Sequence, residues 1–148
     1  SDKGSPFLRS IIINKGSKHK INLGMVVMDG AYLVGKVVEV NYLSSRVLLL
    51  SDLNSKIPVI VEPNTVFSIL SGTGKDYGII QYSKKNEDIK KESIIYTSGA
   101  GSLFKAGIPI GRMNINNLSD EKKVEFFSDF SQLKFVKVVS FKKSENKW

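Results

Sequence analysis

The chain of 148 residues has no cysteine, which removes disulfides, thiol nucleophiles and cysteine-ligated zinc sites. Histidine occurs once, at His19, so acid–base chemistry has a single imidazole to draw on and a metal would have to rely on carboxylates. Arginine occurs only as Arg9, Arg46 and Arg112, few for a reader of phosphates and base edges. No apolar run approaches the roughly 20 residues that carry a helix across a bilayer. The start, SDKGSPFL, is polar, lacks methionine and has no signal-peptide pattern, as expected of a piece cut from a longer protein.

Charge is present and one-sided. Lysine and arginine number 22 against 14 acids, a net charge of +8, so nucleic acid and anionic membranes are partners to consider. The lysines are spread along the whole chain, in pairs at 84–85, 90–91, 122–123 and 142–143, which is the pattern of a solvated basic surface.

The apolar residues fall into short β-type runs. Arg9–Asn14, Gly24–Met28, Tyr32–Tyr42, Arg46–Leu50, Ile57–Glu62, Val66–Leu70, Gly78–Tyr82, Ser93–Thr97 and Ile108–Asn114 each read as a strand. They recur every ~8–12 residues with Gly, Asn and Ser between them, the signature of a sandwich or barrel. RVLLL at 46–50 is continuous enough to be buried on both faces or to turn a barrel corner. Asp29-Gly30 is a hairpin dipeptide. Gly35, inside a strand, predicts a bulge or a close approach of another backbone, and Pro58 predicts an edge position for the start of its strand. Residues 119–133 fit either a helix capped by Ser119 or a strand over 123–127 followed by a turn; 133–141 reads as a strand. The tail KKSENKW, 142–148, is expected to fray.

Four chemistries can be weighed against these residues. A serine hydrolase on a double β-barrel would use Ser98, His19 and Asp29 or Asp52. His19 lies between Lys18 and Lys20, which disfavour the imidazolium a general base must become, and Ser98 lacks the G-x-S-x-G frame. SGTGKDYG, 71–78, has Asp76 where a P-loop has Ser or Thr, and a strand follows where the P-loop needs a helix. No D-x-D-x-D-G pattern occurs, so neither metal nor cofactor is expected. For a basic nucleic-acid-binding barrel, Tyr32, Tyr42, Phe67, Tyr82 and Tyr96 are the available stacking platforms, although aromatics in strands mostly serve packing. A β-rich scaffold without a reactive centre works by binding.

The motif order carries a resemblance. IIINKGS (Ile11–Ser17), LVGKVVEV (Leu33–Val40), SSRVLLLSDLNSKIPV (Ser44–Val59), ILSGTG (Ile69–Gly74), TSGAGSLFKAGIPIGRM (Thr97–Met113) and DFSQLKFVKVV (Asp129–Val139) resemble, in order, the extracytoplasmic core of the rod shape-determining MreC family. Two loops depart from it: Lys105 stands where the family usually has proline after Phe104, and KHK follows the first motif where small or acidic residues are usual.

The resemblance implies an all-β fold of two small antiparallel barrels of about six strands each, with little helix. It implies a non-enzymatic scaffold of the elongation machinery, without cofactors, that organises and activates side-wall peptidoglycan synthesis and so maintains rod shape. The implied partners are MreD, the elongation transpeptidase and its glycosyltransferase, and MreB through an N-terminal part outside this chain. Self-association is implied, and nucleic acid is not. The implied location is the inner membrane, anchored through a helix outside this chain, with this domain on the periplasmic side. The resemblance also favours the strand reading of 123–127. The expected division is nested, 5–56 plus 114–141 as the first barrel and 57–113 inserted as the second; a sequential division near residue 56 is the alternative. Gly35, Ser98, Gly99, Gly101, Gly107, Pro109 and Gly111 are expected to be structural turn residues, with Thr97, Ser98 and Ser102 hydroxyls satisfying turn groups. Phe104 and Lys105 are the candidate partner contact.

Overall fold

Described in a computed structural model are residues 9–81, 92–100, 105–114 and 122–140. They form eleven strands: β1 Ser10–Ile13, β2 Val26–Asp29, β3 Tyr32–Val40, β4 Ser45–Leu49, β5 Lys56–Glu62, β6 Val66–Gly72, β7 Tyr77–Gln81, β8 Glu92–Thr97, β9 Pro109–Asn114, β10 Lys123–Phe126 and β11 Lys137–Val139. Helical content among the described residues is slight: a 3-10 turn at Ser17–His19, within the polar KGSKHK stretch, and a 3-10 residue at Ala100. The fold is all-β.

Two bodies result. One is a five-stranded antiparallel sheet in the order β1-β4-β3-β2-β11; the other is a closed antiparallel barrel in the order β10-β7-β6-β5-β8-β9. The family resemblance implies about six strands in each. The barrel has six, whereas the first body has five among the described residues. Of the predicted strand over 133–141, the described residues form a strand at Lys137, Val138 and Val139, which pair with Met28, Val27 and Val26; residue 141 lies outside the described residues.

One assigned segment changes body. The expected division places all of 114–141 in the first barrel, but β10 pairs with β7 and β9 and belongs to the closed barrel. The reason is side-chain alternation. Val124 and Phe126 face inward and join the barrel core, while Lys123 and Glu125 face water. Pro58 also departs from expectation, since β5 is bonded on both sides, to β6 and β8. Proline is tolerated because the registered β8 ladder begins one residue later, at Val59–Thr97, and Pro58 only accepts the Ser98 N–H, at 3.3 Å.

Alternation fills two cores. The barrel encloses Ile57, Val59, Leu70, Ile95, Ile110 and Met113, and Val26 and Leu33 of the sheet join that same cluster. Ile13, Val27, Val34, Val37 and Val47 make the second core, and Phe130 packs against both. Each such aliphatic side chain stabilises the fold by about 1.5–3 kcal/mol. Because the bodies share side chains, they are expected to melt as one unit.

Candidate functional site

The motif that most resembles an active site is a strand connection. Thr97, fully buried at the end of β8, donates its Oγ1 hydrogen to the Lys105 carbonyl (2.6 Å) and accepts the Ile108 N–H (2.9 Å). Its backbone N–H reaches the Ile108 carbonyl, and its carbonyl takes the Gly107 N–H, both at 2.9 Å. Ser98 Oγ accepts the Ala100 N–H at 3.2 Å. Gly99 and Gly107 adopt φ of 78° and 88°, where side chains are strained. Gly111 needs its missing Cβ for another reason: one would lie 2.2 Å from the Glu125 carbonyl oxygen of β10. Pro109 opens β9 opposite Tyr96. Lys105 is exposed; Gly101, Ser102 and Phe104 fall outside the described residues. Thr97→Val, which keeps shape and removes both side-chain bonds, is expected to cost about 2 kcal/mol by chemical denaturation, and Thr97→Ser much less. Equal stability of the valine variant would show that the hydroxyl does not close this connection.

No catalytic constellation forms from the candidates. His19 Nδ1 accepts the Gly16 N–H (3.1 Å) in the turn after β1, while Ser98 is engaged at the end of β8 on the other body. Asp52 is buried and receives three hydrogen bonds, from Arg9 N, Asn54 N and Asn54 Nδ2. The polar groups of the SGTGKDYG loop are spent within the protein: Thr73 Oγ1 donates to the Tyr77 carbonyl of the same loop, and Gly74 N–H to the Ser51 carbonyl between β4 and β5, both at 2.7 Å. Among the described residues no three His, Asp or Glu side chains gather as metal ligands. The candidate stacking platforms are divided, Tyr42 on the sheet and Phe67 on the barrel; Tyr82 lies outside the described residues.

What the barrel does present is an apolar outer wall. In β5, β6 and β8 the inward residues alternate with outward ones of which Pro58, Ile60, Phe67, Ile69, Ile94 and Tyr96 are also apolar. Strand register places them side by side. Ile60 lies between Phe67 of β6 and Tyr96 of β8, and Tyr96 faces Pro109 of β9; one row down, Pro58 faces Ile69. Phe67 is 67% exposed and Ile69 38%. A recess of about 480 Å³ opens here, with Phe67, Ile69, Pro58 and the Ser98–Ala100 turn on its walls. An antiparallel sheet normally turns polar side chains to water, so a contiguous apolar belt across four strands sets this wall apart. The rim is charged: Lys56 begins β5, and Arg112 and Glu62 flank Ile94. The turn motif therefore contributes to this face through Ser98 and Ala100, rather than through a reactive group.

The belt does not stand out in the sequence. Its signal is there, in IPVI, VFSI and SIIY, where apolar residues take the outward positions as well as most of the inward ones. Such runs are equally the mark of strands buried on both sides, which is how RVLLL behaves: Val47, Leu48, Leu49 and Leu50 are all buried.

Comparison with known proteins agrees with this architecture. The family model of "Rod shape-determining protein MreC, barrel core" matches residues 1–140. The cell shape-determining protein MreC of Cereibacter sphaeroides is 32% identical over 139 residues, covering 94% of this chain and 46% of that protein. The matched part of the chain spans less than half the length of the curated relatives. The crystal structure of MreC from Pseudomonas aeruginosa superposes with a TM-score of 0.82 at 30% identity, covering 93% of both chains. The fold recurs at 18% identity and a TM-score of 0.53 in a chain from the complex between penicillin-binding protein PBP2 and MreC from Helicobacter pylori, over 72% of this chain and 69% of that one. With the motifs in order and the barrel core matched nearly end to end, this chain belongs to the MreC family of cell shape-determining proteins, a family of scaffolds and not of enzymes.

Proposed function

We propose that this domain is a docking module of the cell-elongation scaffold, that its apolar barrel face binds the elongation transpeptidase, and that binding activates side-wall peptidoglycan synthesis. The observation that carries the reading is the Phe67–Ile60–Tyr96–Pro109 belt, apolar across four strands, with Phe67 exposed and the other three half-buried. The Helicobacter pylori complex supports a penicillin-binding protein as the partner class. Activation needs only that the face bind the active conformation of the synthase more tightly than the resting one. In this reading the domain lies on the extracytoplasmic side of the membrane, where the transpeptidase acts. Contacts to MreD, to the glycosyltransferase, to MreB and between copies belong to the same proposal, through the full-length protein.

The test uses the transpeptidase ectodomain from the same organism. Phe67→Glu and Ile69→Glu are expected to weaken its binding by roughly 30-fold each, the effect of a central apolar anchor worth about 2 kcal/mol, while leaving the melting temperature unchanged. Lys18→Glu, in the exposed turn on the other body, serves as the control. Undiminished binding by both face variants would sink this assignment of the face.

A further inference from the structure

The β3–β4 hairpin ends on unusual residues for a turn. The Asn41 N–H closes its neck on the Ser44 carbonyl at 2.8 Å, and Tyr42 and Leu43 form the apex. Hairpin apices favour Gly, Asn and Asp, which suit tight backbone turns and need no packing partner. Here two large apolar side chains stand in water, Tyr42 64% and Leu43 56% exposed. Neither packs against the barrel core or the sheet core. The fold gains nothing from an apolar residue at either position.

Cations flank the apex, on a loop fixed to it. Two backbone bonds hold the turn after β1 against the hairpin: Ser17 N–H to the Asn41 carbonyl at 2.9 Å, and Lys18 N–H to the Tyr42 carbonyl at 3.0 Å. The approach is close, since a Cβ on Gly16 would lie 2.1 Å from the Asn41 carbonyl oxygen. Ser45 Oγ donates to the Lys15 carbonyl at 2.7 Å, and His19 Nδ1 accepts the Gly16 N–H at 3.1 Å. The two loops therefore make one tip, and it carries Lys15, Lys18 and Lys20, all exposed. No acid occurs in 14–25 or 40–48. Glu39, the first acid down the hairpin, is paired with Arg46.

A projecting apex cannot enclose a small ligand. A soluble polyanion would engage the lysines and leave Tyr42 and Leu43 in water. An anionic lipid surface uses both: phosphates take the lysines, and the boundary between headgroups and acyl chains takes a leucine and a tyrosine whose hydroxyl stays in the polar layer. We propose that this tip docks on an anionic lipid surface, with Tyr42 and Leu43 inserted at the headgroup boundary and Lys15, Lys18 and Lys20 against lipid phosphates. The contact fixes the tilt of the domain over the membrane and so the direction in which the barrel wall points. It lies on the sheet, whereas the Phe67 face lies on the barrel, so the two assignments stand or fall separately.

The probe is vesicles of phosphatidylglycerol mixed with phosphatidylcholine, against phosphatidylcholine alone, in co-sedimentation with the chain at low salt. The mixed vesicles are expected to bind on the order of a hundredfold tighter, about fivefold for each lysine at the surface, and the preference should fade as salt is added. Lys15→Gln, Lys18→Gln and Lys20→Gln together should remove most of it. Lys75→Gln, Lys134→Gln and Lys137→Gln, which remove the same charge from exposed positions elsewhere, should keep most of it. Tyr42→Ser with Leu43→Ser, a change confined to exposed side chains, should weaken binding to the mixed vesicles by roughly 30-fold. A lipid spin-labelled near its headgroup should broaden the amides of Lys18, Tyr42 and Leu43 in the ¹⁵N-labelled chain. Lys18→Glu separates the two surfaces, weakening the lipid contact while leaving the transpeptidase ectodomain bound in solution. Equal binding to both kinds of vesicle, equal losses in the two lysine triples, or broadening confined to other amides would overturn the proposal. So would full binding by the Tyr42→Ser, Leu43→Ser variant, which would make the tip a bare polyanion site.

Discussion

Gly35→Ala is expected to lower stability by about 3 kcal/mol, at the upper end of what overpacking costs. An alanine Cβ there would lie 2.0 Å from the Leu48 carbonyl oxygen and 2.9 Å from its carbon. A methyl has no rotamer to escape into, and both obstacles are backbone. Relief requires moving β3 from β4 where Gly35 pairs with Leu49 and Lys36 with Leu48. β4 cannot yield freely, since it is also paired with β1. Nor can β3. Its neighbouring residues Leu33 and Val34 are fully buried, Leu33 in the barrel core and Val34 in the sheet core. The register shift opposite β2, where Val27 pairs with Gly35 but Met28 with Leu33, leaves no slack on the other edge. At about 2–4 °C per kcal/mol for a chain of this length, the melting midpoint should fall by about 6–12 °C, in a single transition. Gly30→Ala separates space from conformation. Gly30 has φ of 58°, and nothing lies within 4 Å of where its Cβ would stand, so only the left-handed penalty of about 1 kcal/mol applies. If Gly35→Ala melted no lower than Gly30→Ala, close approach would not be why glycine stands at 35.

Much of this fold is readable in the residues, because strand burial alternates with period two and the turns carry Gly, Asn and Asp. Ser45–Leu49, Lys56–Glu62 and Glu92–Thr97 form within a residue or so of where the apolar runs place them. What a run cannot encode is its neighbour. Lys123–Phe126 has the pattern of a strand in either body; β7 and β9 decide, by offering partners that bring Val124 and Phe126 inward. Pro58 reads as an edge signal, yet it sits in a central strand because the missing N–H falls at the end of a ladder. The outer belt is illegible for a related reason. Ile60 and Tyr96 look like core until register places them on the wall with Phe67.

Asp52→Ala is expected to cost about 3–4 kcal/mol and to loosen the sheet from the barrel, because one carboxylate fastens the connection between them. Asp52 lies between β4 and β5, fully buried. Its Oδ2 accepts the Arg9 N–H at 2.7 Å; its Oδ1 accepts the Asn54 N–H at 2.7 Å and Asn54 Nδ2 at 3.0 Å. Arg9 in turn hands its carbonyl to Leu49 N–H (3.1 Å) on the sheet and its Nε–H to the Gly74 carbonyl (2.8 Å) on the barrel. Gly74 N–H and Gly72 N–H close the circuit on the Ser51 and Ser55 carbonyls. Alanine removes the carboxylate that the Arg9 amide donates to, and charge-assisted bonds are the stronger kind to lose. Asparagine is the informative partner variant. It retains one acceptor oxygen for Asn54 but turns an NH₂ towards the Arg9 N–H, so its loss should fall about halfway, near 2 kcal/mol. Two readouts separate a local defect from a loosened joint: chemical denaturation reports the cost, and residual dipolar couplings report the angle between sheet and barrel. If the alanine variant lost stability while the two bodies kept one fixed orientation, Asp52 would be a turn residue only, and the shared core at Val26, Leu33 and Phe130 would hold the angle by itself.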